Sequence, residues 1–214
     1  VDGDGLMALA ASAEVRILLQ VRPGDAVTRG GPVAAAYGDG SLPGDFDARL
    51  NEALVVGPAR TQTQDIEYAV DQLAEVAMRA LSPGINDPFT AINCIDRLGN
   101  ALALLAERTL PSAERRDDDG KVRLIVRAYT YEGIVDAAFG QLRETTRNHV
   151  GVSLRILDVI ERVAQLQPPA SLRRALARQA RFVADSAAAA AGHSSDRDRL
   201  LERLEAVTDA LEEC

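Results

Sequence analysis

From Ile66 to Leu105 apolar residues recur every three or four positions, and the pattern breaks once, at Ser82-Pro83-Gly84-Ile85-Asn86. A 3.6-residue period on both sides of a Pro-Gly break predicts two helices joined by a tight turn. Before the break, Ile66, Ala69, Val70, Leu73, Ala77, Ala80 and Leu81 form an apolar stripe, and Asp65, Tyr68, Gln72, Glu75 and Arg79 a polar one. Thr61-x-x-Gln64 reads as a capping box for the first helix. Asp87-Pro88 restarts the second, with Asp as N-cap and Pro at the first helical position, where a missing N–H costs nothing. Phe89, Ile92, Ile95, Leu98, Leu102 and Leu105 give that helix its apolar face.

The flanking sequence is less uniform. Asp2 to Ala13 reads as a short helix, and the alternation of Val15, Ile17, Leu19 and Val21 with polar residues reads as a half-buried strand. Arg22-Pro23-Gly24-Asp25 is a turn in which Gly24 takes the positive φ. Strands are expected over Asp25–Thr28 and Val33–Tyr37, a helix from about Asp45 to Leu54, and a short strand at Leu54-Val55-Val56. After the hairpin, Lys121 to Val126 reads as a strand entered through a turn at Asp119-Gly120. Helices are expected from Tyr131 to Thr146 with Thr130 as cap, from Val150 to Gln165, from Ser171 to Ala191 and from Asp196 to Glu213. The fold class is therefore mainly α with a small β-containing N-terminal portion (α+β), around a helical bundle core. The expected divisions are 1–58, 59–167 and 168–214. In the last helix Leu200, Leu204, Val207 and Leu211 are spaced 4, 3, 4, a seam able to pair with a second copy or fold back within the chain.

Composition removes several functional classes. With 32 acidic residues against 24 basic ones and a net charge of −8, the chain has the wrong sign for a phosphate-backbone binder, so no nucleic acid is expected. Its longest apolar run falls far short of the roughly 20 residues that span a bilayer. Cys94 and Cys214, the only two cysteines, are read as reduced thiols. His149 and His193 are isolated, and Asp117-Asp118-Asp119-Gly120 lacks the alternating ligands and distal Glu of a calcium loop, so neither metal nor cofactor is expected. No phosphate loop, dinucleotide fingerprint or Gly-x-Ser-x-Gly elbow occurs.

Two stretches resemble known families. The run from Val21 to Val33 resembles the hairpins of lipoyl/biotinyl-like barrel-sandwich domains, but a swinging-arm carrier needs an acceptor lysine there. The only lysine is Lys121, in an unrelated context. The broader match joins Arg60-Thr61-Gln62-Thr63-Gln64-Asp65, Arg79-Ala80-Leu81-Ser82-Pro83-Gly84-Ile85-Asn86-Asp87-Pro88-Phe89-Thr90-Ala91 and Cys94-Ile95-Asp96-Arg97-Leu98. With the Arg22–Asp25 turn, these resemble a bacterial predicted-membrane-protein family catalogued as a domain of unknown function, number 2254, from the start of the chain to about Gln165. That resemblance implies membrane-spanning segments elsewhere in a longer chain, for which the opening on Val1 is read as a fragment. It also implies an inner-membrane location with this domain on the cytoplasmic side. It implies no activity.

The polar residues bordering the hairpin are the candidate site: Arg60, Gln64, Asp65, Arg79, Ser82, Asn86, Asp87 and Thr90. A tight interhelix turn explains Ser82, Gly84, Asp87 and Pro88 without any ligand, and an Arg79–Asp65 or Arg60–Asp87 ion pair would be architectural. A cluster at meeting helix ends also suits a small polar ligand, and Asp65 or Asp87 suits the base of a hydrolase. Three functions are therefore open. The first expectation is a cytoplasmic assembly or regulatory domain, non-enzymatic, whose partners are the membrane-spanning segments of its own full-length chain and a second copy of itself. A ligand- or ion-sensing module is the second, and an uncharacterised hydrolase the third.

Overall fold

The computed structural model describes residues 1–39 and 41–212; Glu213, the expected end of the last helix, and Cys214 lie outside them. Secondary structure is mainly helical, with one small four-stranded sheet. The chain divides into two compact units, the first made of residues 1–68 and 111–129, the second of residues 69–110 and everything from 130 onward.

In the first unit, α1 (Gly3–Ser12) starts where the Asp2 carboxylate accepts the Gly5 N–H. β1 (Arg16–Leu19) and β2 (Ala34–Tyr37) pair antiparallel, and α2 spans Phe46–Glu52. Two further strands from residues 111–129, here β3 (Glu114–Arg116) and β4 (Val122–Ile125), complete a sheet of order β2-β1-β4-β3. β4 runs parallel to β1 and antiparallel to β3. Leu6, Leu9 and Ala10 of α1 and Phe46 and Leu50 of α2 close over Ile17, Leu19 and Leu124 of the sheet. The expected turn at Asp119-Gly120 is present, with Gly120 at φ 77° and its N–H donating to Asp117 O.

Two strand expectations, Asp25–Thr28 and Leu54-Val55-Val56, need correction. Residues 21–33 form a loop rather than a strand–turn–strand, so the likeness to a barrel-sandwich hairpin ends at the sequence. Of the strand expected over Val33–Tyr37, Ala34–Tyr37 forms, as β2. Leu54-Val55-Val56 is irregular, with Val55 and Val56 largely exposed. A β-branched run becomes a strand where one of its faces is buried, and residues 26–28, 55 and 56 are exposed.

The second unit is helical. It contains most of α3 (Ile66–Ala80), then α4 (Pro88–Ala106), α5 (Tyr131–Phe139), α6 (Leu142–Thr146), α7 (Val150–Ala164), α8 (Ala170–Ala190) and α9 (Ser194–Glu212). The single helix expected from Tyr131 to Thr146 is two, because Gly140 ends α5 and α6 restarts at Leu142. α7 is apolar on more than one side, as its central position requires: it packs against α4, α8 and α9, with Ile156, Leu157, Val159 and Ile160 fully buried. Charged clamps flank it. Arg155 holds Asp96 of α4 through two bonds of 2.8 and 2.7 Å, and Arg203 of α9 reaches Asp158 at 2.6 Å and also Glu161.

α9 resolves the choice left by its seam. Leu200, Val207 and Leu211 are buried, and the helix lies against α7 and α8 of the same chain. The 4-3-4 spacing therefore packs within the chain's own bundle, with Leu204 half-buried.

Candidate functional site

The candidate residues fall in two groups. Arg60, Gln64 and Asp65 belong to the first unit; Arg79, Ser82, Asn86, Asp87 and Thr90 belong to the second.

In the first group Asp65 is the centre. It precedes α3 and is 2% exposed. Its Oδ1 accepts the Tyr68 N–H at 3.0 Å, so Asp65 caps the helix and the Thr61-x-x-Gln64 capping box does not form. Its Oδ2 accepts from Arg60 Nε at 2.9 Å and Nη2 at 2.8 Å, and the Arg60 guanidinium lies 4.7 Å from the Tyr68 ring centroid. Gln64 turns elsewhere: its amide bonds the backbone of Val1, with Nε2 donating to the carbonyl at 3.0 Å and Oε1 accepting from the nitrogen at 2.7 Å.

The Arg22–Asp25 turn folds against the same carboxylate. Gly24 takes φ 92°, and a Cβ there would stand 1.9 Å from Asp65 Oδ2. Arg22 bonds Glu67 through both terminal nitrogens and lies 4.8 Å from the Tyr129 ring centroid. Asp25 accepts the Arg22 N–H at 3.1 Å and Arg127 Nη1 at 2.6 Å. Tyr129 closes the group: its hydroxyl donates to Gln64 O at 2.9 Å, with Pro23 O and Asp65 Oδ1 each at 3.4 Å. Burial, reinforced by the negative charge of Asp65, pushes the Tyr129 phenol up to about 12.

That shift has a measurable consequence. An unfolded tyrosine ionises near 10, so the folded state holds the Tyr129 proton more tightly than the unfolded state does. The associated stability is fully present below pH ~10 and is lost as pH rises towards 12. Alkaline unfolding of the parent is expected to show this loss, and Tyr129→Phe to flatten it; an identical alkaline profile in both proteins contradicts the assignment.

The second group is a helix junction. Ser82 O accepts the N–H groups of Ile85 and Asn86, Asn86 sits at φ 46°, and the Asp87 N–H donates to Ala80 O at 2.7 Å. Asp87 then caps α4, accepting the Thr90 N–H at 3.1 Å and the Thr90 hydroxyl at 2.6 Å. The Thr90 hydroxyl, helped by the backbone amides, holds the Asp87 carboxyl below its ordinary range. Arg79 pairs one turn back with Glu75 on α3. Of the two ion pairs weighed from the sequence neither forms: Arg79 pairs with Glu75, and Arg60 with Asp65. Removing the cap by Asp87→Ala is expected to cost about 0.5–2 kcal/mol, read as a lower melting temperature; an unchanged value contradicts the capping role.

Arg22, Gly24, Asp25, Arg60 and Gln64 also border an open cleft of ≈ 890 Å³ in the first unit. Its charged lining is committed internally, Arg22 to Glu67, Asp25 to Arg127 and Arg60 to Asp65. Among the described residues no group of three or more His, Cys, Asp or Glu side chains is placed to hold a metal ion. Cys94 is buried within α4, and burial pushes its thiol up, away from the reactive thiolate. Sequence reasoning missed Tyr129, Glu67 and Arg127 as members of the Asp65 group. Tyr129 lies 64 positions from Asp65, and nothing in its neighbours marks it.

The family described as "Predicted membrane protein (DUF2254)" matches residues 1–162. An uncharacterized protein of Mycobacterium bovis is 32% identical over 216 residues, covering 99% of this chain and 42% of the relative. An uncharacterized protein of Mycobacterium tuberculosis matches with the same identity and coverage. The chain thus spans about two-fifths of the length of these curated relatives. No solved structure matches it. Among the described residues no helix is long and apolar enough to cross a membrane.

Proposed function

The chain belongs to the DUF2254 family of predicted membrane proteins, and from that premise we propose that it is a non-enzymatic assembly or regulatory domain of a multi-pass bacterial membrane protein, placed on the cytoplasmic side. Its partners on this reading are the membrane-spanning segments of its own full-length chain. One observation carries the proposal: the chemistry-bearing residues around Asp65 are satisfied by one another. A general base needs a lone pair aimed at a substrate proton. Asp65 instead accepts from Arg60 twice and from the Tyr68 N–H, and Asp87 from Thr90 twice. A hydrolytic role for either carboxylate would require breaking the contacts that start α3 or α4.

The cleft beside Arg22 and Arg60 favours a second reading, binding of a small polar ligand. Thermal denaturation in the presence of a panel of inorganic anions, amino acids and nucleotides separates the two, because a ligand that binds the folded state raises its melting temperature by mass action. The assembly reading expects no saturable rise. A saturable rise abolished by Arg60→Ala, in a variant whose circular dichroism is unchanged, establishes the sensing function instead. The side of the membrane is tested separately, by the activity of a compartment-specific reporter fused to the full-length protein.

A further inference from the structure

We propose that the turn joining α3 to α4 is a membrane-insertion tip, in which Ile85 and Phe89 enter the interfacial layer of a lipid bilayer. Ile85 is 62% exposed and Phe89 is 78% exposed. An isolated exposed apolar residue is ordinary, but these two share one short, rigid segment in which Asp87 is the sole ionisable residue. Rigidity comes from the backbone: Ile85 and Asn86 both donate to Ser82 O, Asp87 N–H donates to Ala80 O, and Asp87 then caps α4. The two side chains are presented by a fixed frame, so insertion loses little further conformational freedom.

Charge points the same way. In a chain of net charge −8, the run from Leu81 to Ala91 contains a single ionisable residue, Asp87. Its carboxylate is turned onto the Thr90 N–H and hydroxyl. Arg79, in the last turn of α3 and 73% exposed, is placed to keep its charge at headgroup level while the tip beyond it enters apolar surroundings. The occupant follows from where such a chain works. It belongs to a family of predicted membrane proteins, and relatives carry more than twice its length. A contact made by two side chains is weak alone, and tethering beside a bilayer makes it effective. The inference rests on the reading above that this domain serves a membrane protein. It is independent of whether the Asp65 group is structural.

The sequence contains no tryptophan, so Phe89→Trp installs a single fluorescent reporter at an exposed position. We expect neutral phosphatidylcholine vesicles at millimolar lipid to shift its emission to shorter wavelength, and lipids brominated near the headgroup end of their acyl chains to quench it. Adding Ile85→Ser is expected to weaken the lipid dependence about tenfold, the size of one buried apolar side chain, with the parent's circular dichroism and melting temperature retained. Emission that ignores lipid and bromine overturns the proposal. So does a blue shift without lipid that grows with protein concentration, which assigns the tip to a second copy. Ile85→Trp serves as the reporter if Phe89→Trp does not fold. Neither failure alters the anion, amino acid and nucleotide melting test, so the two readings fall separately.

Discussion

Gly24→Ala lowers stability by about 3 kcal/mol, far more than an alanine at an exposed turn usually does. Two effects add. At φ 92° an L-residue is strained, by about 1–2 kcal/mol for a left-handed backbone. The new methyl would also stand 1.9 Å from Asp65 Oδ2 and 2.8 Å from its carboxyl carbon. The carboxylate cannot move aside freely, since Arg60 grips it at 2.9 and 2.8 Å and the Tyr68 N–H at 3.0 Å. Relief therefore means losing part of the α3 cap, worth about 0.5–2 kcal/mol. Chemical denaturation checks the figure; a loss under 1 kcal/mol means that turn and carboxylate are not in contact.

Asp65→Ala is the second large effect, also about 3 kcal/mol. It removes the α3 cap and a charge-assisted pair, the latter worth about 1.5–3 kcal/mol. The Arg60 side chain is 38% exposed, so its stranded charge rehydrates and adds little. Asp65→Asn separates the contributions, because the amide oxygen still accepts the Tyr68 N–H while the negative charge is gone. About half the loss is expected from it, and exchange of the Tyr68 amide with solvent accelerates in the alanine variant far more than in the asparagine one. Equal acceleration in both variants contradicts the cap.

What could be read from the sequence was what depends on near neighbours. The α3–α4 hairpin was legible because an apolar period and a Pro-Gly break act locally, and Asp87 as cap because Asp-Pro fixes its own geometry. Thr130 capped α5 for the same reason, its hydroxyl accepting the Gly133 N–H. Pairings between distant segments were hidden. β4 reads as a strand at residues 122–125, yet nothing local says that it lies parallel to β1, with the helices α3 and α4 inserted between them in sequence. Asp65 was legible as a polar residue at a helix start. Its partners Gly24 and Tyr129 come from two other segments, and only the folded sheet brings them to it. The false capping box at Thr61 shows the limit from the other side. Its spacing was right, but Asp65, one residue nearer the apolar stripe, holds the Tyr68 N–H, and Gln64 turns to Val1.

Urea unfolding of Arg60→Ala, Asp65→Asn and the double variant tests most directly whether the charges at Asp65 hold the fold or wait for a ligand. Groups kept for binding or chemistry commonly stabilise a protein when neutralised, whereas a structural pair is lost once and not twice. We predict that each single variant lowers the unfolding midpoint and that the double variant falls short of the sum by about 1–2 kcal/mol, the coupling of residues in direct contact. A midpoint that stays the same or rises in Asp65→Asn would contradict a structural role for the pair.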